Sequence, residues 1–91
     1  MKIKTIGILG SGQLGRMIAL AAAEMGVRAH IFAPDATGSP AAEVSFAATQ
    51  AEYSDEAALR AFARTIDAVT SEFENVPAEA MCLLNDYFPA S

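Results

Sequence analysis

The chain has 91 residues and a formal net charge of −5, from 11 acidic against 6 basic side chains, so one domain is the expectation. Lys2, Lys4, Arg16, Arg28, Arg60 and Arg64 are scattered and form no basic stripe, which argues against partners such as nucleic acid or an anionic membrane. The 53% apolar content argues against disorder, no apolar run approaches the ~20 residues of a membrane span, and the single cysteine, Cys82, excludes an internal disulfide and suits a cytoplasmic location.

The opening Met1–Thr5 stretch carries two lysines, but glycines interrupt the apolar residues that follow, so it reads as the start of a strand and not as a signal peptide. Ile6, Ile8 and Leu9 continue that strand up to Gly10. Leu14, Met17, Ile18, Ala21, Ala22 and Met25 then recur at helical spacing and predict one buried stripe, with Gly26 as the helix stop. A second strand is expected over Arg28–Ala33, and Pro34–Pro40 has loop chemistry. Ala41–Ser45 is long enough for one helical turn, and Phe46–Gln50 for a short third strand. Ser54 or Asp55 caps a helix running to about Thr65, with Leu59, Phe62, Ala63 and Ile66 inward. Asp67–Ser71 is a fourth strand, Glu72–Val76 a polar loop, and Pro77 the first position of a last helix that buries Ala80, Met81 and Leu84.

This alternation predicts an α/β fold: a Rossmann-like open parallel sheet of about four strands with helices on both faces. Ligands of such sheets bind outside the carboxyl ends of the strands, near a switch in strand order. Two segments fall there. One is Gly10-Ser11-Gly12-Gln13-Leu14-Gly15, after the first strand. Gly10 permits a tight exit, Gly12 lets a ligand approach the backbone, and Gly15 lets the helix pack close to the strand. The amides of the first helical turn favour negative charge or oxygen acceptors. The plainer alternative is that the glycines serve only strand–helix packing.

The other segment is Glu72-Phe73-Glu74-Asn75, after the fourth strand. If it stays extended, Glu72 and Glu74 share one side and can accept hydrogen bonds from ribose hydroxyls or a substrate amine; the alternative is a solvated loop. Asp35 lies where a dinucleotide-binding protein carries its ribose-binding acid, yet it also suits the start of the Pro34–Pro40 turn. His30, the single histidine, has no neighbouring ligand residues and reads as packed or at a strand edge. With no histidine at useful spacing, Ser11 is a loop donor and not a nucleophile.

Gly10–Met17, taken with Glu72-Phe73-Glu74-Asn75-Val76-Pro77 and with Asp35 and Ser39–Ala42 between them, resembles the N-terminal, pre-ATP-grasp domain of 5-(carboxyamino)imidazole ribonucleotide synthetases, ligases of purine biosynthesis. The likeness runs over nearly all of the chain, and Gln13-Leu14 and Glu-Phe-Glu-Asn are not dehydrogenase features. It implies an ATP-dependent carboxylation of aminoimidazole ribonucleotide by bicarbonate, through carboxyphosphate. ATP and magnesium would be held by domains that do not occur within these residues. The resemblance also implies that this domain lines the ribonucleotide pocket. Gln13 and Leu14 would offer backbone groups, and Glu74 would accept from a hydroxyl or the amine with Glu72 and Asn75 in support. Residues 1–91 are expected to be one N-terminal domain of a longer protein or an isolated relative, silent on their own, with apolar surface suited to a homodimer. The alternatives are an NAD(P)-binding oxidoreductase domain that uses Asp35, and a non-catalytic interaction module.

Overall fold

The computed structural model describes residues 4–71. Seven elements follow one another: β1 (Thr5–Leu9), α1 (Gln13–Glu24), β2 (Arg28–Ala33), α2 (Pro40–Glu43), β3 (Ala47–Gln50), α3 (Glu56–Ala63) and β4 (Ala68–Ser71). The strands form one parallel sheet in the order β3-β2-β1-β4. Successive side chains of β1 and β2 point to opposite faces. Ile8 and Ile31 meet Ala19 of α1 and Ala41 of α2 on one face. Leu9 and Phe32 meet Leu59, Phe62 and Ala63 of α3 on the other. The expected four-stranded sheet with helices on both faces is therefore the fold.

Capping chemistry sets the ends of the elements. Asp55, not Ser54, starts α3, and its Oδ1 accepts from the Ala58 amide at 3.1 Å. Ser39 does the same for α2, accepting from the Ala42 amide at 3.2 Å. α1 stops in a Schellman arrangement: the amides of Gly26 and Val27 bond to the carbonyls of Ala23 and Ala22. That turn needs the left-handed backbone of Gly26, whose φ is 76°.

One expectation is corrected. The stripe Leu14–Met17–Ile18–Ala21–Ala22–Met25 is only in part the buried side of α1: Ala22 is buried and Ile18 packs against the core, but the other four do not lead the inward face. Gly15, Ala19 and Ala22 face the sheet, while Leu14, Met17 and Met25 are 50%, 64% and 78% exposed. The inward face is turned by roughly 100°, one residue step, from the stripe of large side chains. The inward residues are the small ones, and Ala19 packs with Ile8, Ala29 and Ile31 in the buried cluster of that face. An apolar hollow of about 250 Å³ is lined by Ile6, Ile18, Ala21, Ala22, Met25 and Val27.

The face bearing α3 holds the larger side chains. The Phe32 and Phe62 rings lie 5.1 Å apart, and the His30 ring meets Phe62 edge-on at 4.9 Å. Gly7 makes room for this cluster. A Cβ there would come within 2.5 Å of Ile66 Cδ1 and 2.6 Å of Phe62 Cζ.

Candidate functional site

β1 is interior to the sheet, and the strand order reverses beside it. After β1 the chain moves outward to β2 and β3, then returns past β1 to β4. The crevice expected at such a switch lies above the carboxyl ends of β1 and β4. Leu9 pairs with Ser71, so those two strands end level. The glycine turn leaves β1 at this edge. Ser71 is the last described residue, and Glu72, Glu74 and Asn75 lie outside the described residues.

The turn is built as its residues suggest. Gly10 has φ 125°, a conformation that a side chain would strain, and its amide donates to the Phe32 carbonyl at 3.0 Å. That bond continues the parallel β1–β2 ladder by one rung, so Gly10 leaves the sheet at the end of β2. Gly12 is the N-cap and provides no side-chain cap, and no acidic residue stands in the first turn of α1. Negative charge and oxygen acceptors are favoured at such a helix start, and no carboxylate of the first turn opposes them. Gln13 and Leu14 are exposed at the start of the helix, whereas Gly15 is buried against the sheet. Gly10, Ser11, Gly12, Gln13, Leu14 and Gly15 are thus brought together at the switch point.

Ser11 is a donor, as expected of a loop serine. It is buried, and its Oγ donates to Asp35 Oδ1 at 2.6 Å, in the short range of hydroxyl–carboxylate bonds. Its carbonyl accepts from the Ala41 amide at 3.3 Å. Asp35 is exposed and sits in the turn closed by the Ala36 amide on the Ala33 carbonyl. Both sequence-level roles for Asp35 left out its bond to Ser11. Its position directly after β2, level with the glycine turn, was the available signal.

His30 is buried in β2. Its Nδ1 lies 2.8 Å from Thr65 Oγ1 and its Nε2 2.7 Å from Thr49 Oγ1. Thr65 Oγ1 donates to the Phe62 carbonyl, so it accepts from His30 Nδ1–H, and Nε2 accepts from Thr49. Burial lowers the His30 pKa and favours this neutral form. The histidine is a fastener between β2, β3 and the end of α3, remote in role from the glycine turn. Among the described residues, no group of three or more metal-binding side chains occurs and no helix is long and apolar enough to cross a membrane. The apolar hollow beside Ile6 and Val27 lies toward the opposite end of β1 from the turn and has almost no polar lining.

Residues 3–90 match the family described as the ribonucleotide synthetase preATP-grasp domain. The N5-carboxyaminoimidazole ribonucleotide synthase of Brucella melitensis biotype 1 is 51% identical over 76 residues, covering 84% of this chain and 21% of that protein. A crystal structure of an N5-carboxyaminoimidazole ribonucleotide synthetase in complex with ADP superposes with a TM-score of 0.87 at 44% identity, covering 92% of this chain and 22% of that one. The Aspergillus clavatus enzyme, crystallised with ADP and 5-aminoimidazole ribonucleotide, gives a TM-score of 0.78 at 30% identity, covering 92% and 22%. The chain spans about a fifth of the length of these relatives. With the glycine turn at the switch point and this match along nearly its whole length, the chain belongs to the ribonucleotide synthetase pre-ATP-grasp family.

Proposed function

We propose that this chain is the N-terminal, substrate-facing domain of an N5-carboxyaminoimidazole ribonucleotide synthetase, and that its glycine turn forms one wall of the pocket for aminoimidazole ribonucleotide. The observation that carries this reading is the glycine turn placed at the strand-order switch, with Gly10, Gly12 and the exposed Gln13 and Leu14 presented together at the start of α1. Backbone amides there can donate to ribose or phosphate oxygens. Glu74, with Glu72 and Asn75 beside it in sequence, is assigned the complementary role of accepting from a ribose hydroxyl or the amine. The Aspergillus clavatus relative was crystallised with this ribonucleotide, which supports the choice of substrate.

The reaction assigned to the whole protein is carboxylation of the ribonucleotide amine by bicarbonate, driven by conversion of ATP to ADP and phosphate. ATP and magnesium are assigned to other domains of such a synthetase; the ADP complex of a relative supports nucleotide binding in the family. The soluble substrates suit the cytoplasm. The exposed Met17, Leu20 and Met25 of α1 give this domain an apolar outer surface suited to a homodimer, which light scattering would register.

Calorimetric titration with aminoimidazole ribonucleotide tests the substrate assignment. Glu74→Ala is expected to weaken binding at unchanged melting temperature. Equal affinity of wild type and variant would remove Glu74 from the site.

A further inference from the structure

The contacts of Ser11 carry a consequence for Asp35. Ser11 stands between two glycines, Gly10 and Gly12, in a turn that would otherwise have large backbone freedom. Of the six residues from Gly10 to Gly15, only Ser11 has a buried side chain other than hydrogen. That side chain ends on Asp35, at 2.6 Å. The turn is also tied by the Gly10 amide to the Phe32 carbonyl and by the Ser11 carbonyl to the Ala41 amide. All three ties reach the end of β2 or the start of α2. The Ala41 end is itself held, because Ser39 Oγ donates to the Ala36 carbonyl at 2.7 Å while accepting from the Ala42 amide.

We infer that Asp35 is a positioning residue. Its carboxylate holds the glycine turn in its ligand-ready shape through the Ser11 hydroxyl, and it does not itself contact the ligand. The position resembles that of a ribose-binding acid, but Oδ1 is committed to Ser11. Of the three ties, this is the one made by side chains, and so the one that substitution can remove without altering the backbone. An ordered turn binds more tightly because less conformational freedom is lost on binding. This inference rests on the proposed ribonucleotide site for its binding consequence, but not for the tie itself.

The test has two arms on the same variants: Ser11→Ala, Asp35→Ala, their double mutant and Asp35→Asn. The first needs no ligand and follows amide exchange by NMR. The Ala41 amide, which donates to the Ser11 carbonyl, is expected to exchange about 10-fold faster in Ser11→Ala and Asp35→Ala. Asp35→Asn keeps an acceptor oxygen for Ser11 and is expected to restore slow exchange. The second arm measures the Kd for aminoimidazole ribonucleotide. Both alanine variants should bind about 10-fold more weakly with little change in melting temperature, the double mutant no more weakly than either, and Asp35→Asn close to wild type.

Unchanged exchange in both alanine variants would overturn the inference. So would weakened binding by Asp35→Ala and Asp35→Asn with Ser11→Ala unaffected, since Asp35 would then touch the ligand directly. If the wild type binds no ribonucleotide, the proposed site fails, and the exchange arm alone decides whether Asp35 holds the turn.

Discussion

Gly7→Ala should destabilise the domain, although alanine is ordinarily the better residue inside a strand. Gly7 pairs with His30 on one side and Val69 on the other, so its backbone is held by two neighbours. The added methyl would meet Ile66 Cδ1 at 2.5 Å and Phe62 Cζ at 2.6 Å. Carbon atoms settle near 3.5–4.0 Å, so each neighbour must retreat by about 1 Å. Phe62 is 1% exposed and already packed against Phe32 and His30, which leaves it little room. Overpacking of this kind costs about 1–3 kcal/mol, against which the gain of alanine over glycine is about 0.5–1 kcal/mol.

The net loss is about 1–2 kcal/mol, or about 5–15 °C in Tm for a domain of this size. Urea unfolding followed by circular dichroism should show a lower midpoint at unchanged slope. Ile66→Val removes Cδ1, so in the Gly7→Ala background it should cost less than it does alone. A Gly7→Ala midpoint at or above wild type, or strict additivity with Ile66→Val, would refute this account of the packing.

Two further outcomes concern titrating groups. His30 has a folded pKa below its unfolded value, so the unfolded chain binds more protons below about pH 6.5. Stability is therefore full above that pH and is lost as the pH falls through the lower folded value; a His30→Gln variant should flatten this loss in urea midpoints measured between pH 7 and 5. Asp67 accepts from the Thr5 and Lys4 amides at 3.0 and 2.9 Å, and these bonds, aided by the Lys4 charge, lower its pKa. Its contribution is present above the ordinary carboxylate range and is lost as the pH falls through the depressed value, so Asp67→Asn should lower the melting temperature at pH 7 and cease to do so in acid.

Most of the architecture was legible because it rests on local signals. Arg28–Ala33 is a continuous apolar-centred run, and the structure gives β2 those same bounds. Asp55 and Gly26 mark helix ends through chemistry confined to a few residues. The inward face of α1 is only partly legible, because hydrophobicity ranks Leu14, Met17 and Met25 above Gly15 and Ala19. Close packing on a parallel sheet reverses that order, and only the partner strands reveal it.

The turn itself was legible from Gly10 to Gly15, since each glycine answers to backbone geometry at one place. Its fastening to Asp35, 24 residues away, was not, because a hydroxyl–carboxylate pair leaves no periodic trace in a sequence. The same holds for His30, whose partners Thr49 and Thr65 are 19 and 35 residues distant. The family resemblance rested on two short motifs, and the match over residues 3–90 bears it out.

The role of the glycine turn as a ribonucleotide wall is tested most directly by two-dimensional NMR during titration with aminoimidazole ribonucleotide, with NAD as the control. The account predicts saturable shifts of the amides of Gly10 to Gly15 with the ribonucleotide and none with NAD. Shifts confined to residues away from this turn, or a response to NAD alone, would contradict it.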